Sequence, residues 1–264
     1  MRLISALTCA ALLMFGVAPA DALSSLEEWW PLGLRRERWR GRCPRTCECW
    51  EPHSQFLPGM EDLESSDDDG YPVYNCGKVD VKTKDNHYVA ITCKDVSDIC
   101  DELPFIQLFS NDTIGRLLLY DCPVPETFSC LLAKLGAADA DTVKIFAPRG
   151  ELRVNNIEGL KKTTELHYTA ANQSSVQYDV LRALPSLEYF RIKDAKLHLP
   201  ADELSESDET GDSSAHPSLK RFELISNQIQ EVPHGAFRRF KGLTRLYLAD
   251  NPIRNIYNES FIGE

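Results

Sequence analysis

Nine cysteines are the residues with the most obvious chemical potential, and three of them form one string, Cys43-Pro-Arg-Thr-Cys47-Glu-Cys49. Such a cluster either ligates zinc as thiolates or is oxidised to disulfides. A zinc site needs a further His/Cys pair at finger spacing, and none follows. The six histidines, at 53, 87, 167, 198, 216 and 234, are scattered and form no pair at metal-ligand spacing. Acidic residues are abundant but lie in hydrophilic runs, which is poor ground for general acid–base chemistry. Nucleophile-elbow, zincin, dinucleotide and phosphate-loop strings are absent from the sequence. No catalytic site, metal site or cofactor is expected, and the chain is not expected to be an enzyme.

The compartment favours disulfides. Arg2, the apolar stretch from Leu3 to Ala18 and the small residues Ala18-Pro19-Ala20 have the layout of a secretory signal peptide, residues 1–20. Its removal takes Cys9 and leaves eight cysteines, most simply four disulfides in an oxidising compartment. Sequons at Asn111, Asn172 and Asn258 agree with export and are expected to be glycosylated. The net charge is −11, which argues against nucleic acid as a partner. No later apolar run reaches the length needed to span a bilayer.

The elements that position these groups emerge from internal repetition. Residues 219–240 and 243–262 align at a shift of 24: Leu219 with Leu243, Phe222 with Leu246, Leu224 with Leu248, Asn227 with Asn251, Ile229 with Ile253. Val232 with Ile256 and Phe237 with Phe261 complete the match. The pattern LxxLxLxxNxIxxI resembles the extracellular leucine-rich repeat family. It implies a curved solenoid with short parallel strands on the concave face and an irregular or 3₁₀ convex side. Alternate strand residues then point inward, and stacked repeats bury what one cannot. In the same register, weaker strand triplets appear at 117–119, 143–145, 166–168 and 190–192, giving about six repeats over 105–264. Cys122, Pro148, Ala171 and Ala195 fill the Asn position there. A hydrophilic insert, 201–216, widens one spacing to 32 residues.

The cysteine string resembles the cysteine-rich N-terminal cap of that family, placed here at 43–104 with an acidic insert over 50–88. The resemblance implies the pairs Cys43–Cys49 and Cys47–Cys93. Cys76–Cys100 and Cys122–Cys130 are expected for the remaining four, which permit three connectivities. The stretch 21–42 reads as a basic, Trp-containing linker, in which the arginines of Arg35–Arg42 offer a candidate site for sulfated glycans. The last repeat stops without a C-terminal cysteine cap, so a longer product is expected.

Register also gives the concave residues. The outward positions are Leu118, Lys144, His167, Arg191, Glu223 and Tyr247 within the triplets, flanked by rows that include Tyr120, Phe146, Tyr189, Lys193 and Arg221. Tyr120, Phe146, Tyr189, Arg191, Lys193, Arg221 and Tyr247 form an aromatic and basic stripe, the residue types enriched at protein hot spots. The expected function is that of a secreted or cell-surface ectodomain binding an extracellular protein ligand or receptor, of adhesion, guidance or receptor type. The alternative is a structural matrix protein of the small proteoglycan type.

Overall fold

The computed structural model describes residues 37–38, 43–51, 72–84, 87–170, 175–197, 199 and 218–261, all within one compact unit, 36–264. The expected signal peptide, most of the Arg35–Arg42 stretch, Asn172 and the insert 201–216 lie outside the described residues. Described strands form one eleven-stranded sheet and a separate two-stranded one. The large sheet begins with β1 (Glu37–Arg38), β2 (Glu48–Glu51), β3 (Val73–Cys76), β4 (Val79–Lys84) and β5 (Tyr88–Cys93), each antiparallel to the next. From β5 onward every pairing is parallel, through β6 (Thr113–Tyr120), β7 (Asp139–Phe146), β8 (Glu165–Thr169), β9 (Tyr189–Lys193), β10 (Arg221–Ile225) and β12 (Arg245–Tyr247). The short strands β11 (Glu231–Val232) and β13 (Asn255–Ile256) pair with each other behind the main sheet.

The six parallel strands β6 to β10 and β12 coincide with the six triplets read from the sequence. Their inward side chains stack in two files, Leu117, Val143, Leu166, Phe190, Phe222 in one and Leu119, Ile145, Tyr168, Ile192, Leu224 in the other, all essentially buried. Phe190 and Phe222 lie parallel with ring centroids 5.6 Å apart, and Phe222 meets Phe240 edge-on at 5.5 Å. The returning segments use helix α1 (Ile99–Glu102), helix α2 (Phe128–Leu135) and 3₁₀ turns at Val154–Ile157 and Tyr178–Ala183. Thr127 caps α2, its hydroxyl accepting from the Cys130 N–H at 3.1 Å.

Most strand exits carry the same device. Asp121, Ala147, Asp194, Ser226 and Asp250 all adopt positive φ, between 48° and 57°. At three of them the turn N–H donates to the carbonyl that ends the next strand, Asp121 to Phe146, Ala147 to Thr169 and Asp194 to Ile225, and at Ser226 to the Ala249 carbonyl just past β12, at 2.9–3.0 Å. The asparagine position follows this turn. Asn227 is fully buried; its amide nitrogen donates to the Ile192 carbonyl at 2.9 Å and its oxygen accepts from the Ala195 N–H at 3.0 Å. Asn251 repeats the arrangement, donating to Leu224 and accepting from the Asn227 N–H. Earlier repeats lack the side chain; those of β6, β7 and β9 keep the positive-φ turn, while Ala170 after β8 makes the same N–H link, to Lys193, without it.

Two expectations about the cap are corrected. Residues 73–84 are not insert but the hairpin β3–β4, so the cap adds four antiparallel strands, β2 to β5, to the edge of the repeat sheet. Only Cys43–Cys49 pairs as the resemblance implies. In place of Cys47–Cys93, Cys76–Cys100 and Cys122–Cys130, the structure joins Cys47–Cys76, Cys93–Cys122 and Cys100–Cys130. The reason is register. Cys49 opposes Tyr74 and Glu48 opposes Asn75, which brings Cys47 to Cys76 with Cα atoms 4.2 Å apart. Two strands separate β2 from β5, about 14 Å at ~4.8 Å per strand, beyond the ~7 Å a disulfide spans. Cys93 instead meets the exit of the adjacent β6, and Cys100 on α1 meets Cys130 on the neighbouring α2.

Asn227→Ala strands a buried N–H and a buried carbonyl and is expected to destabilise by about 1–3 kcal/mol, with Asn251→Ala costing less because that site is half-exposed. Urea unfolding of both variants checks this. Equal midpoints for Asn227→Ala and the unaltered chain would show that the ladder does not depend on it.

Candidate binding face

The ladder sets three outward rows across the sheet. One runs Tyr88, Arg116, Thr142, Glu165, Tyr189, Arg221, Arg245; the next runs Ala90, Leu118, Lys144, His167, Arg191, Glu223, Tyr247. The third runs Thr92, Tyr120, Phe146, Thr169, Lys193, Ile225. These are the rows expected from the repeat register.

Three members of the expected stripe converge on one carboxylate, and a fourth, Tyr247, packs against one of them. Glu223 is only 5% exposed. Arg221 donates from Nε to Glu223 Oε1 at 2.8 Å, and Arg191 Nε lies 3.5 Å from Oε2, an ion-pair contact. The Tyr189 hydroxyl also hydrogen-bonds Glu223; burial and then this bond push the Tyr189 pKa up to about 12. The Arg221 guanidinium lies 4.6 Å from the Tyr189 ring centroid and 5.4 Å from that of Tyr247. An arginine between two aromatic faces with its fork on a carboxylate is fixed in orientation before any ligand arrives. Tyr247, at 44% exposure, is the open end of the group.

His167 closes the other end, its ring meeting Tyr189 edge-on at 4.7 Å. Burial, then the charges of Lys144 and Arg191, lower its pKa to about 4, and Nε2 is 3.7 Å from Glu165 Oε2. His167 is therefore neutral at physiological pH. Tyr120 and Phe146 pair across β6 and β7 in the third row, apart from this group, and Lys193 sits between Thr169 and Ile225 with Nζ 3.8 Å from Asp194. The face is thus not a uniform basic stripe but a cluster centred on Glu223 and a separate aromatic pair. Glu223 and His167 were in the outward rows, but the sequence gives no sign that they would anchor the cluster.

Of the sequons, Asn111 is exposed just before β6, and Asn258 is exposed beyond β13 with its backbone carbonyl 2.7 Å from His234 Nδ1. Both lie off the concave rows. Among the described residues no group of His, Cys, Asp and Glu is arranged to hold a metal ion, and no helix is long and apolar enough to cross a membrane.

A parallel ladder of 23- to 26-residue units with one wider spacing, closed at one edge by disulfide-bonded hairpins, defines a leucine-rich repeat solenoid with a cysteine-rich N-terminal cap. The comparisons agree: the leucine rich repeat family pattern matches residues 217–264. Two solved structures of the Toll–Spatzle complex, described as a molecular hub in Drosophila development and innate immunity, share the fold of this chain. One aligns with a TM-score of 0.57 and 15% identity over 80% of this chain and 28% of the other. The glycosylated form aligns with 0.51 and 17% over 82% and 30%. The chain therefore spans under a third of these neighbours, and the likeness is one of fold. No curated protein matches the sequence.

A folded-state pKa near 4 against about 6.5 unfolded makes His167 a source of stability at neutral pH. That contribution is complete above pH 6.5 and is lost as pH falls through 4, because the unfolded chain takes the proton first. His167→Asn is expected to flatten this part of the stability–pH profile. Urea midpoints at pH 7 and pH 4.5 check it; parallel profiles for variant and unaltered chain would contradict it.

Proposed function

We propose that this chain is part of an extracellular binding module, of adhesion, guidance or receptor type, that engages a protein ligand through its concave face. The observation that carries the reading is the Glu223-centred cluster. Arginine and tyrosine are costly to order at the moment of binding, and here Tyr189, Arg191 and Arg221 are ordered by a buried carboxylate and by one another. A rigid sheet beneath them suits recognition more than catalysis. The fold is shared with a protein solved in complex with Spatzle, which supports a protein as the ligand class. Four disulfides suit an oxidising compartment, and the N-terminal stretch has the layout of an export signal. Glycans on Asn111 and Asn258 would leave the centre of the sheet accessible.

The test is a binding screen of the secreted chain against cell-surface and matrix proteins, followed by variants against any ligand found. Tyr189→Ala with Arg191→Ala is expected to weaken binding by about 2 kcal/mol or more, a loss of at least ~30-fold. Surface plasmon resonance reads the change, with circular dichroism confirming the fold. An unchanged Kd in the folded double variant would place the ligand elsewhere on the solenoid.

A further inference from the structure

The Glu223 cluster leaves positive charge uncompensated on its β12 side. Arg221 stands directly opposite Arg245 in the register of β10 and β12. Like charges opposite one another on neighbouring strands are destabilising, so the pair calls for a counter-charge. Arg221 directs Nε and Nη2 to Glu223 Oε1, which leaves Nη1 without a hydrogen bond among the described residues. Arg245 is exposed, and its side chain makes no hydrogen bond or ion pair among them. Lys193 faces Asp194. With Lys193 set aside, the outward positions of β9, β10 and β12 hold three guanidinium groups, on Arg191, Arg221 and Arg245, and one carboxylate, Glu223.

The geometry also limits what can supply the missing charge. Adjacent strands lie about 4.8 Å apart, so a single carboxylate between Arg221 and Arg245 can accept from both. Arg221 needs no reordering to meet it, because the Tyr189 and Tyr247 rings flank its guanidinium and Glu223 holds its other edge. Beside the pair, Tyr247 is 44% exposed and Ile225 is half-buried. These offer apolar contact to the residues around an acidic side chain in a protein segment. A sulfated glycan would draw on a broad field of cations, and here most of that field is already compensated by Glu223 and Asp194. The chain as a whole carries −11, so its general surface repels an acidic partner and leaves this gap as a place for one to land.

We propose that the protein ligand presents an aspartate or glutamate side chain to the gap between Arg221 and Arg245, with an apolar neighbour against Tyr247. This rests on the concave-face reading and names the chemistry of its ligand. Selectivity lies in the placement of two guanidinium forks more than in net charge, since a lysine at either position offers a point charge and no fork.

A positional-scanning peptide library, each pool fixing one residue type at one position, tests this on the intact disulfide-bonded chain. Pools fixing Asp or Glu are expected to be retained at least about tenfold better than those fixing Asn or Gln. Arg245→Glu is expected to reverse the preference toward Lys and Arg pools, and Arg245→Lys to reduce it at least about threefold. Because Arg245 is exposed, both variants keep the fold, which circular dichroism verifies. Arg45→Glu, the same change of charge at an exposed cap position, is expected to alter nothing. Pools that bind without acid preference, yet weaken on Tyr189→Ala with Arg191→Ala, would overturn this proposal and leave the concave-face reading standing. Binding indifferent to every one of these substitutions would overturn both, as would retention of no pool at about 1 mM chain. An Arg245-dependent affinity for heparin with none for the acidic pools would assign the pair to sulfated glycans and overturn the proposal as well.

Discussion

The structure depends on one backbone arrangement, a turn at the strand exit, left-handed in most repeats, whose N–H reaches a carbonyl at the exit of the next strand. It fixes the stagger of successive repeats and so decides which side chains meet. Asp121, Ala147, Asp194 and Ser226 make this link with quite different side chains, so the geometry is a property of the stacked chain and not of one residue type. Asparagine adds side-chain partners for carbonyls and amides behind the turn, and at Asn227 these groups are buried. Cys122 occupies the same position in the first repeat and adds a covalent link to Cys93 in the cap.

That stagger also explains the electrostatics of the concave face. Charges on adjacent parallel strands stand about 4.8 Å apart, so a carboxylate on β10 lies within reach of β9 and of its own strand. Glu223 meets Arg191 across the ladder and Arg221 two residues back along it. A buried carboxylate is costly unless paired and hydrogen-bonded, and here two guanidinium groups and a phenol supply the pairing. The consequence is a surface whose cations are partly compensated and held still. Its recognition character comes from shape and orientation more than from net positive charge.

Much of this was legible in the sequence because solenoid packing writes itself in a fixed period. Leu, Phe and Ile at matched positions identify the strands, and alternation then gives the outward rows without knowledge of the turn. The Glu223 cluster was not legible in the same way: row membership says that Arg191 and Glu223 are neighbours, but not that Tyr189 and Arg221 fold over the carboxylate and bury it. The cap was misjudged for a different reason. Val73–Cys76 and Val79–Lys84 are short, carry polar residues and follow an acidic run, so they read as insert, whereas antiparallel pairing with each other between β2 and β5 makes them sheet. Once those two strands exist, the cysteine partners change with them.

The central claim is that cap and repeats form one continuous sheet in this register, and disulfide mapping under non-reducing conditions tests it most directly. The account predicts peptides joined through Cys43–Cys49, Cys47–Cys76, Cys93–Cys122 and Cys100–Cys130. A bridge from Cys47 to Cys93 would remove β3 and β4 from between β2 and β5 and contradict the account.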